Sequence, residues 1–140
     1  MTTRIMVVDD DRLCREALAL VLRQEGFKVL TFGHPLQAFA TYCETPDAWS
    51  VMVTDHNMPG MDGLDLIRAV QAVRPDMPCF LCTGESPDEV SDATATAAGA
   101  WTLFRKPLDA RALLSAVTRA VTTREPARYP AAALAGCAVD

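Results

Sequence analysis

Five short apolar runs, each followed by a segment of helical period, constrain this chain more than any other feature of it. The runs are IMVVD (5–9), FKVLTF (27–32), SVMVTD (50–55), PCFLCT (78–83) and WTLFR (101–105). The first and third are continuously apolar, as in strands covered on both faces of a parallel sheet. Between the runs, apolar residues recur at helical spacing. Leu13, Ala17, Leu20 and Val21 form one such face, and Leu36, Phe39, Ala40 and Cys43 a second. Leu66, Ile67, Val70 and Val73 make a third, and Leu113, Val117, Ala120 and Val121 the last. Pro35 suits a first helical turn, while Gly26 and Gly99 suit helix ends. A further helix is read over PDEVSDATATAAG (87–99), where Val90 is the only large apolar residue. It buries little, so the least stable helix is expected there. Five βα units in a row specify a three-layer α/β fold with right-handed crossovers. At 140 residues the chain holds one such domain and is too short for two.

In open parallel sheets, ligands bind beyond the carboxyl ends of the strands. The residues following each run therefore belong together. The first run leads into Asp9, Asp10 and Asp11, the third ends in Asp55, and the fourth ends in Thr83 before Gly84 and Glu85. Lys106-Pro107 follows the fifth. Three carboxylates brought within a few ångströms repel one another unless a cation joins them. Oxygen donors without clustered His or Cys point to Mg²⁺, or to Mn²⁺ as a similar hard cation. The Thr83 hydroxyl and the Lys106 ammonium both suit anionic oxygens. Together these groups make a site that handles a phosphoryl group. A dinucleotide site would show G-x-G-x-x-G after the first strand, where this chain has acids.

Other residues have plainer readings. Asp11 directly precedes a helical pattern, and Asp62 precedes the helix opening at Gly63, so both are expected to be helix caps. Pro59 and Gly60 turn the chain. Cys79 and Cys82 form a C-x-x-C within a strand, where i and i+3 point to opposite faces, so they read as small buried hydrophobes rather than metal ligands. The five cysteines are an odd number without framework spacing, which favours a reducing cytoplasm. A net charge of −5 with scattered basic residues argues against a nucleic-acid surface. No apolar stretch approaches membrane-span length, and the N-terminus lacks the apolar region of a signal peptide.

The combination VVDDD, VTDHNMPGMDG, CTGE and FRKPLD, in that order, resembles the receiver domain of bacterial two-component response regulators, over residues 4 to about 121. The resemblance implies a five-stranded parallel sheet of flavodoxin-like order 2-1-3-4-5 with helices on both faces. It implies that Asp55 is the phospho-acceptor, taking its phosphoryl group from a phosphohistidine on a sensor histidine kinase or phosphotransfer protein. Asp10 would bind Mg²⁺ directly, Asp9 directly or through water, and Asp55 and the backbone carbonyl of Asn57 would complete the protein ligands. Thr83 and Lys106 would hold the phosphoryl oxygens, and the Lys106–Pro107 peptide is expected to be cis. His56 reads as a solvated loop histidine, since the family tolerates many residues there. Asn57 and Glu85 stand two residues after the acceptor and two after the threonine, near the path of attacking water. Their pairing resembles regulators with short-lived phosphorylation.

One departure stands out. The family usually carries an aromatic residue three before the lysine, and this chain has Leu103. Phe104 should project from the opposite face, while Trp101 has the right parity but sits further away. On this reading residues 1–122 form the receiver domain and 123–140 a mobile tail or linker too short for a helix-turn-helix. The output is then an unknown downstream protein, with phosphorylation-dependent homodimerisation left open. Some stretches also resemble receivers fused to hybrid histidine kinases, and the MTTR start argues against an internal fragment. Two competing functions remain. One is a Mg²⁺-dependent phosphatase or phosphotransferase acting on external substrates, although haloacid-dehalogenase-like enzymes carry D-x-D where position 57 is Asn. The other is a degenerate receiver serving only as a platform. The leading reading is a cytoplasmic signalling module rather than an enzyme.

Overall fold

The computed structural model describes residues 3–86 and 88–123. All five apolar runs form strands: β1 (Arg4–Val8), β2 (Lys28–Phe32), β3 (Val51–Asp55), β4 (Cys79–Thr83) and β5 (Thr102–Arg105). They pair in parallel in the order β2-β1-β3-β4-β5. Every residue of β3 and β4 is buried, because helices cover both faces of these inner strands. The helices are α1 (Arg12–Gln24), α2 (Pro35–Glu44), α3 (Gly63–Val73), α4 (Asp92–Ala98) and α5 (Ala110–Thr123). One core lies under α2, α3 and α4, built on Met6, Met52, Cys79 and Leu81. The other lies under α1 and α5, built on Ile5, Val7, Val53, Phe80 and Cys82. Among the described residues, no helix is long and apolar enough to cross a membrane.

The faces of α3 and α5 follow the apolar spacing, except that Val73 is 47% exposed. Those of α1 and α2 do not. In α1 the buried residues are Ala19 and Leu22, while Leu13 is 79% exposed and Leu20 57%. The cause is polar. Arg15 Nη1 donates to the Asp9 carbonyl at 3.2 Å and Arg23 Nη2 to the Val29 carbonyl at 2.8 Å. Arg15, Ala19, Leu22 and Arg23 lie on one stripe, so the two arginines clamp the helix with that stripe inward. In α2, Pro35, Ala38 and Tyr42 face the sheet, and Leu36, Ala40 and Cys43 are exposed. Tyr42 fixes this rotation by donating its hydroxyl to the Val70 carbonyl at 3.0 Å.

The fourth helix is shorter than expected. Residues 88–90 form a turn in which the amides of Glu89 and Val90 donate to the Ser86 carbonyl. Ser91 then caps α4 by accepting from the Thr94 amide at 3.0 Å, so the helix begins at Asp92. Val90 is nevertheless buried, and Gly99, at φ 114°, ends the helix in the left-handed region. Gly26 also has positive φ, Pro35 opens α2 and the Lys106–Pro107 peptide is cis, all as expected.

Candidate functional site

The sheet register assembles the site. Val8 pairs with Thr54, so Asp9 and Asp55 leave the sheet side by side. Thr83 pairs with Arg105, and the Lys106 amide donates to the Thr83 carbonyl at 2.8 Å, which sets Lys106 beside β4. The chain after Asp55 is held just as closely. The His56 amide donates to the Cys82 carbonyl at 3.0 Å, and the Gly63 amide donates to the His56 carbonyl at 2.9 Å. This brings the start of α3 against the end of β3, with no room for a side chain. A Cβ on Gly63 would stand 2.6 Å from Leu81 Cδ1 and 3.0 Å from His56 Cα, and would collide with the Asp55 carbonyl oxygen.

Lys106 Nζ lies 2.7 Å from Asp55 Oδ1 and 3.7 Å from Asp9 Oδ2. Asp9 and Asp55 are both buried, at 6% and 7% exposure, and Asp10 is exposed. Carboxylate oxygens of Asp9, Asp10 and Asp55 lie within 4.8 Å of one another. Burial pushes the Asp9 carboxyl above its ordinary pKa. The amide of Asp11, donating to Asp9 Oδ1 at 2.9 Å, opposes this, and the Asp55 charge adds to it. Burial pulls Lys106 down, but the bond to Asp55 and the charges of Asp55 and Asp9 outweigh it and hold its ammonium above the usual value. One lysine against three acids leaves excess negative charge in a half-enclosed pocket. An all-oxygen donor set of this kind fits a hard divalent cation. Beside it, an apolar cleft lined by Cys14, Ala17, Val21, Leu108 and Leu113 opens between α1 and α5.

Thr83 is fully buried, and its hydroxyl oxygen accepts from the Glu85 amide at 2.9 Å. The Asn57 side-chain amide donates to the Glu85 carboxylate at the rim. Bonding to Glu89 and then to Asn57 holds Glu85 below the usual carboxyl range, while Glu89 is pushed above it by Glu85. Leu103 packs against the core under α3 and α4, and Phe104 lies across the sheet, 6.1 Å from the Phe80 ring. Trp101 departs from its expected parity. It precedes β5 and turns to the Phe104 side, edge-on to Phe80 at 6.4 Å. No aromatic residue therefore shares the Leu103 face of β5.

His56 does not sit in solvent as a loop histidine would. It is buried at 9% exposure, with Nδ1 enclosed and without a hydrogen-bond partner among the described residues. The reason is that β3 pairing continues through its backbone, which carries the ring inward instead of into the loop. Asp11 and Asp62 cap α1 and α3 as expected, accepting from Leu13 and Cys14 and from Asp65 respectively. Cys79 and Cys82 face opposite cores, so they cannot grip one metal ion, and burial pushes both thiols up to about 12. Arg105 went unnoticed in the sequence. Nothing in FRKP marks it, yet it binds two carbonyls of the loop between β4 and α4.

The family model described as response regulator receiver domain matches residues 5–118. The C4-dicarboxylate transport transcriptional regulatory protein DctD of Pseudomonas aeruginosa is 35% identical over 122 residues, which are 87% of this chain and 26% of that protein. The transcriptional regulatory protein AruR of the same organism is 36% identical over 118 residues, 82% of this chain and 48% of that protein. This chain thus spans less than half the length of either relative. A solved receiver domain from Clostridium thermocellum superimposes with a TM-score of 0.81 at 26% identity, covering 87% of this chain and 96% of its own. The BeF3-activated DrrB receiver domain gives 0.75 at 30% identity, covering 87% and 99%.

Proposed function

The chain belongs to the response regulator receiver domain family, and on that premise we propose that Asp55 is its phospho-acceptor. The observation that carries this is the pairing of a buried Asp55 with Lys106 at 2.7 Å, inside a triad of carboxylates at the strand ends. In the transfer, an Asp55 carboxylate oxygen attacks the phosphorus of a phosphohistidine. The nitrogen–phosphorus bond breaks, and the imidazole of the donor leaves with that electron pair. Lys106, bound to Asp55 Oδ1 at 2.7 Å, is within reach of a phosphoryl group carried on Asp55, where its ammonium would stabilise the charge that collects on the phosphoryl oxygens. Thr83 supplies a hydroxyl from the neighbouring strand. Asp9, Asp10, Asp55 and the Asn57 backbone carbonyl would hold Mg²⁺ or Mn²⁺, which neutralises phosphoryl oxygens when bound.

The donor is a sensor histidine kinase or a phosphotransfer protein, and the receiver then acts on a downstream protein. Residues 1–122 carry this activity. Of the segment 123–140, read as a tail or linker, only Thr123 lies within the described residues. A cytoplasmic setting suits the free, exposed thiols of Cys14 and Cys43. The test is incubation with a small phosphodonor and Mg²⁺. Wild type should acquire one acid-stable, base-labile phosphate and Asp55→Asn none. Equal labelling of Asp55→Asn, or sustained turnover of external phosphomonoesters, would overturn the proposal.

A further inference from the structure

The half-enclosed cleft between α1 and α5 is a feature that phosphoryl chemistry leaves unused. Its volume is about 360 Å³, within the size range of small-molecule sites. Ala17, Leu18 and Val21 of α1 form one wall, and Leu108 and Leu113 the other. Val53 and Cys82 of the sheet also line it. Its charged lining is confined to Asp9, Asp55 and Lys106, which cluster at the strand ends. Asp55 follows Val53 by two residues, so its side chain leaves β3 on the same face of the sheet. The apolar space and the carboxylates are thus one continuous cavity.

The charged end is unsaturated. Lys106 takes Asp55 Oδ1 at 2.7 Å, and the Asp11 amide takes Asp9 Oδ1 at 2.9 Å. The second oxygen of each carboxylate accepts no hydrogen bond among the described residues, although both side chains are more than nine-tenths buried. Lys106 Nζ stands 3.7 Å from Asp9 Oδ2, beyond hydrogen-bond reach. A ligand body that fills the cleft displaces water from these oxygens, and a buried oxygen left unpaired is costly. A neutral head without donors leaves that cost standing, and an anion meets repulsion from three acids faced by one lysine. An ammonium brings three donors and the missing positive charge.

We propose that this cavity binds a small amphipathic ammonium ion, with its apolar body between α1 and α5 and its ammonium at Asp9 and Asp55. The same carboxylates serve a divalent cation, so ligand and Mg²⁺ exclude one another. The bound ligand therefore shuts the site to phosphorylation, a step that rests on the reading of Asp55 as phospho-acceptor.

The probe is hexylamine, protonated at neutral pH and titrated calorimetrically into the protein in chelator. Methylamine supplies the head without the body, and hexanoate the body with the opposite charge. Burial of two methylenes strengthens binding about tenfold, so hexylammonium should bind at least about tenfold more tightly than methylammonium, and hexanoate not at all. Mg²⁺ should weaken hexylammonium binding, and hexylammonium should slow phosphate uptake from acetyl phosphate. Ala17→Phe places a ring in the cleft from an exposed position. It should bring hexylammonium down to the affinity of methylammonium and keep wild-type affinity for Mg²⁺. Cys14→Phe, at a second exposed position of the same wall, should do the same. A filled variant that loses Mg²⁺ affinity is misfolded, and the wild-type comparison then decides. Equal affinities for hexylammonium and methylammonium, binding of hexanoate, or wild-type hexylammonium affinity in folded Ala17→Phe and Cys14→Phe overturn the proposal. Hexylammonium binding that leaves Mg²⁺ affinity unchanged puts the ammonium elsewhere and overturns it as well. Failure of wild type to take up phosphate without ligand instead removes the Asp55 reading and leaves the binding site to stand or fall on the calorimetry.

Discussion

Gly63→Ala perturbs fold and acceptor at once, and its cost follows from the contacts around Gly63. The added methyl meets Leu81 Cδ1 at 2.6 Å and His56 Cα at 3.0 Å, and it collides with the carbonyl of Asp55. Two of these neighbours are backbone atoms at the end of a fully buried strand, and Leu81 is itself 0% exposed, so none can yield cheaply. Overpacking of this kind costs about 1–3 kcal/mol. The gain from replacing glycine in a helix is below about 1 kcal/mol. The net expectation is destabilisation by about 1.5 kcal/mol. In urea titration, with a slope of about 2 kcal/mol/M, the midpoint should fall by about 0.7 M at unchanged slope. Relief of the clash must move the Asp55 backbone, so phosphorylation from a small donor should slow by about tenfold or more. Gly84→Ala is the control, since nothing lies within 4 Å of its added methyl. An unchanged midpoint for Gly63→Ala would refute the reasoning, as would equal losses in the two variants.

Asp9→Asn should stabilise the protein in chelator at neutral pH by about 1 kcal/mol, because it removes a buried charge beside Asp55. The raised carboxyl pKa sets the sign: the folded state prefers Asp9 protonated, so its contribution is favourable in acid and lost as pH rises, and the advantage of Asn should vanish below the ordinary carboxyl value of 3.8. Tyr42→Phe should cost about 1 kcal/mol in urea titration by deleting the hydrogen bond to the Val70 carbonyl. Hydrogen exchange should be faster in α4 than in α1, since α4 has seven residues against thirteen and buries two alanines where α1 buries Leu22 and is clamped by Arg15 and Arg23; comparable protection would count against it.

The strands, the sheet class and the acid–lysine site were legible because each rests on local pattern. Buried strands must be apolar along their length, and the functional groups fall at their carboxyl ends. The rotations of α1 and α2 were not legible. Arg15, Arg23 and Tyr42 decide them through bonds to main-chain carbonyls, and a count of apolar residues scores the arginines as solvent-facing. His56 was misplaced for a related reason: its burial follows from backbone pairing past the apparent end of β3, which composition does not reveal. Ser91, not Pro87, starts α4 because its side chain can accept an amide that would otherwise lack a partner. Arg105 had no signal at all, since its partners are carbonyls brought close only by the fold.

The central claim is that Asp55 carries the phosphoryl group. Its most direct test is borohydride trapping of protein treated with acetyl phosphate and Mg²⁺, followed by peptide sequencing in a mass spectrometer. Reduction of an aspartyl phosphate converts that residue to homoserine. The account predicts homoserine at position 55 and nowhere else, dependent on donor and abolished by chelator. Homoserine at Asp9 or Asp10, or none at position 55 in protein that has taken up base-labile phosphate, would contradict it.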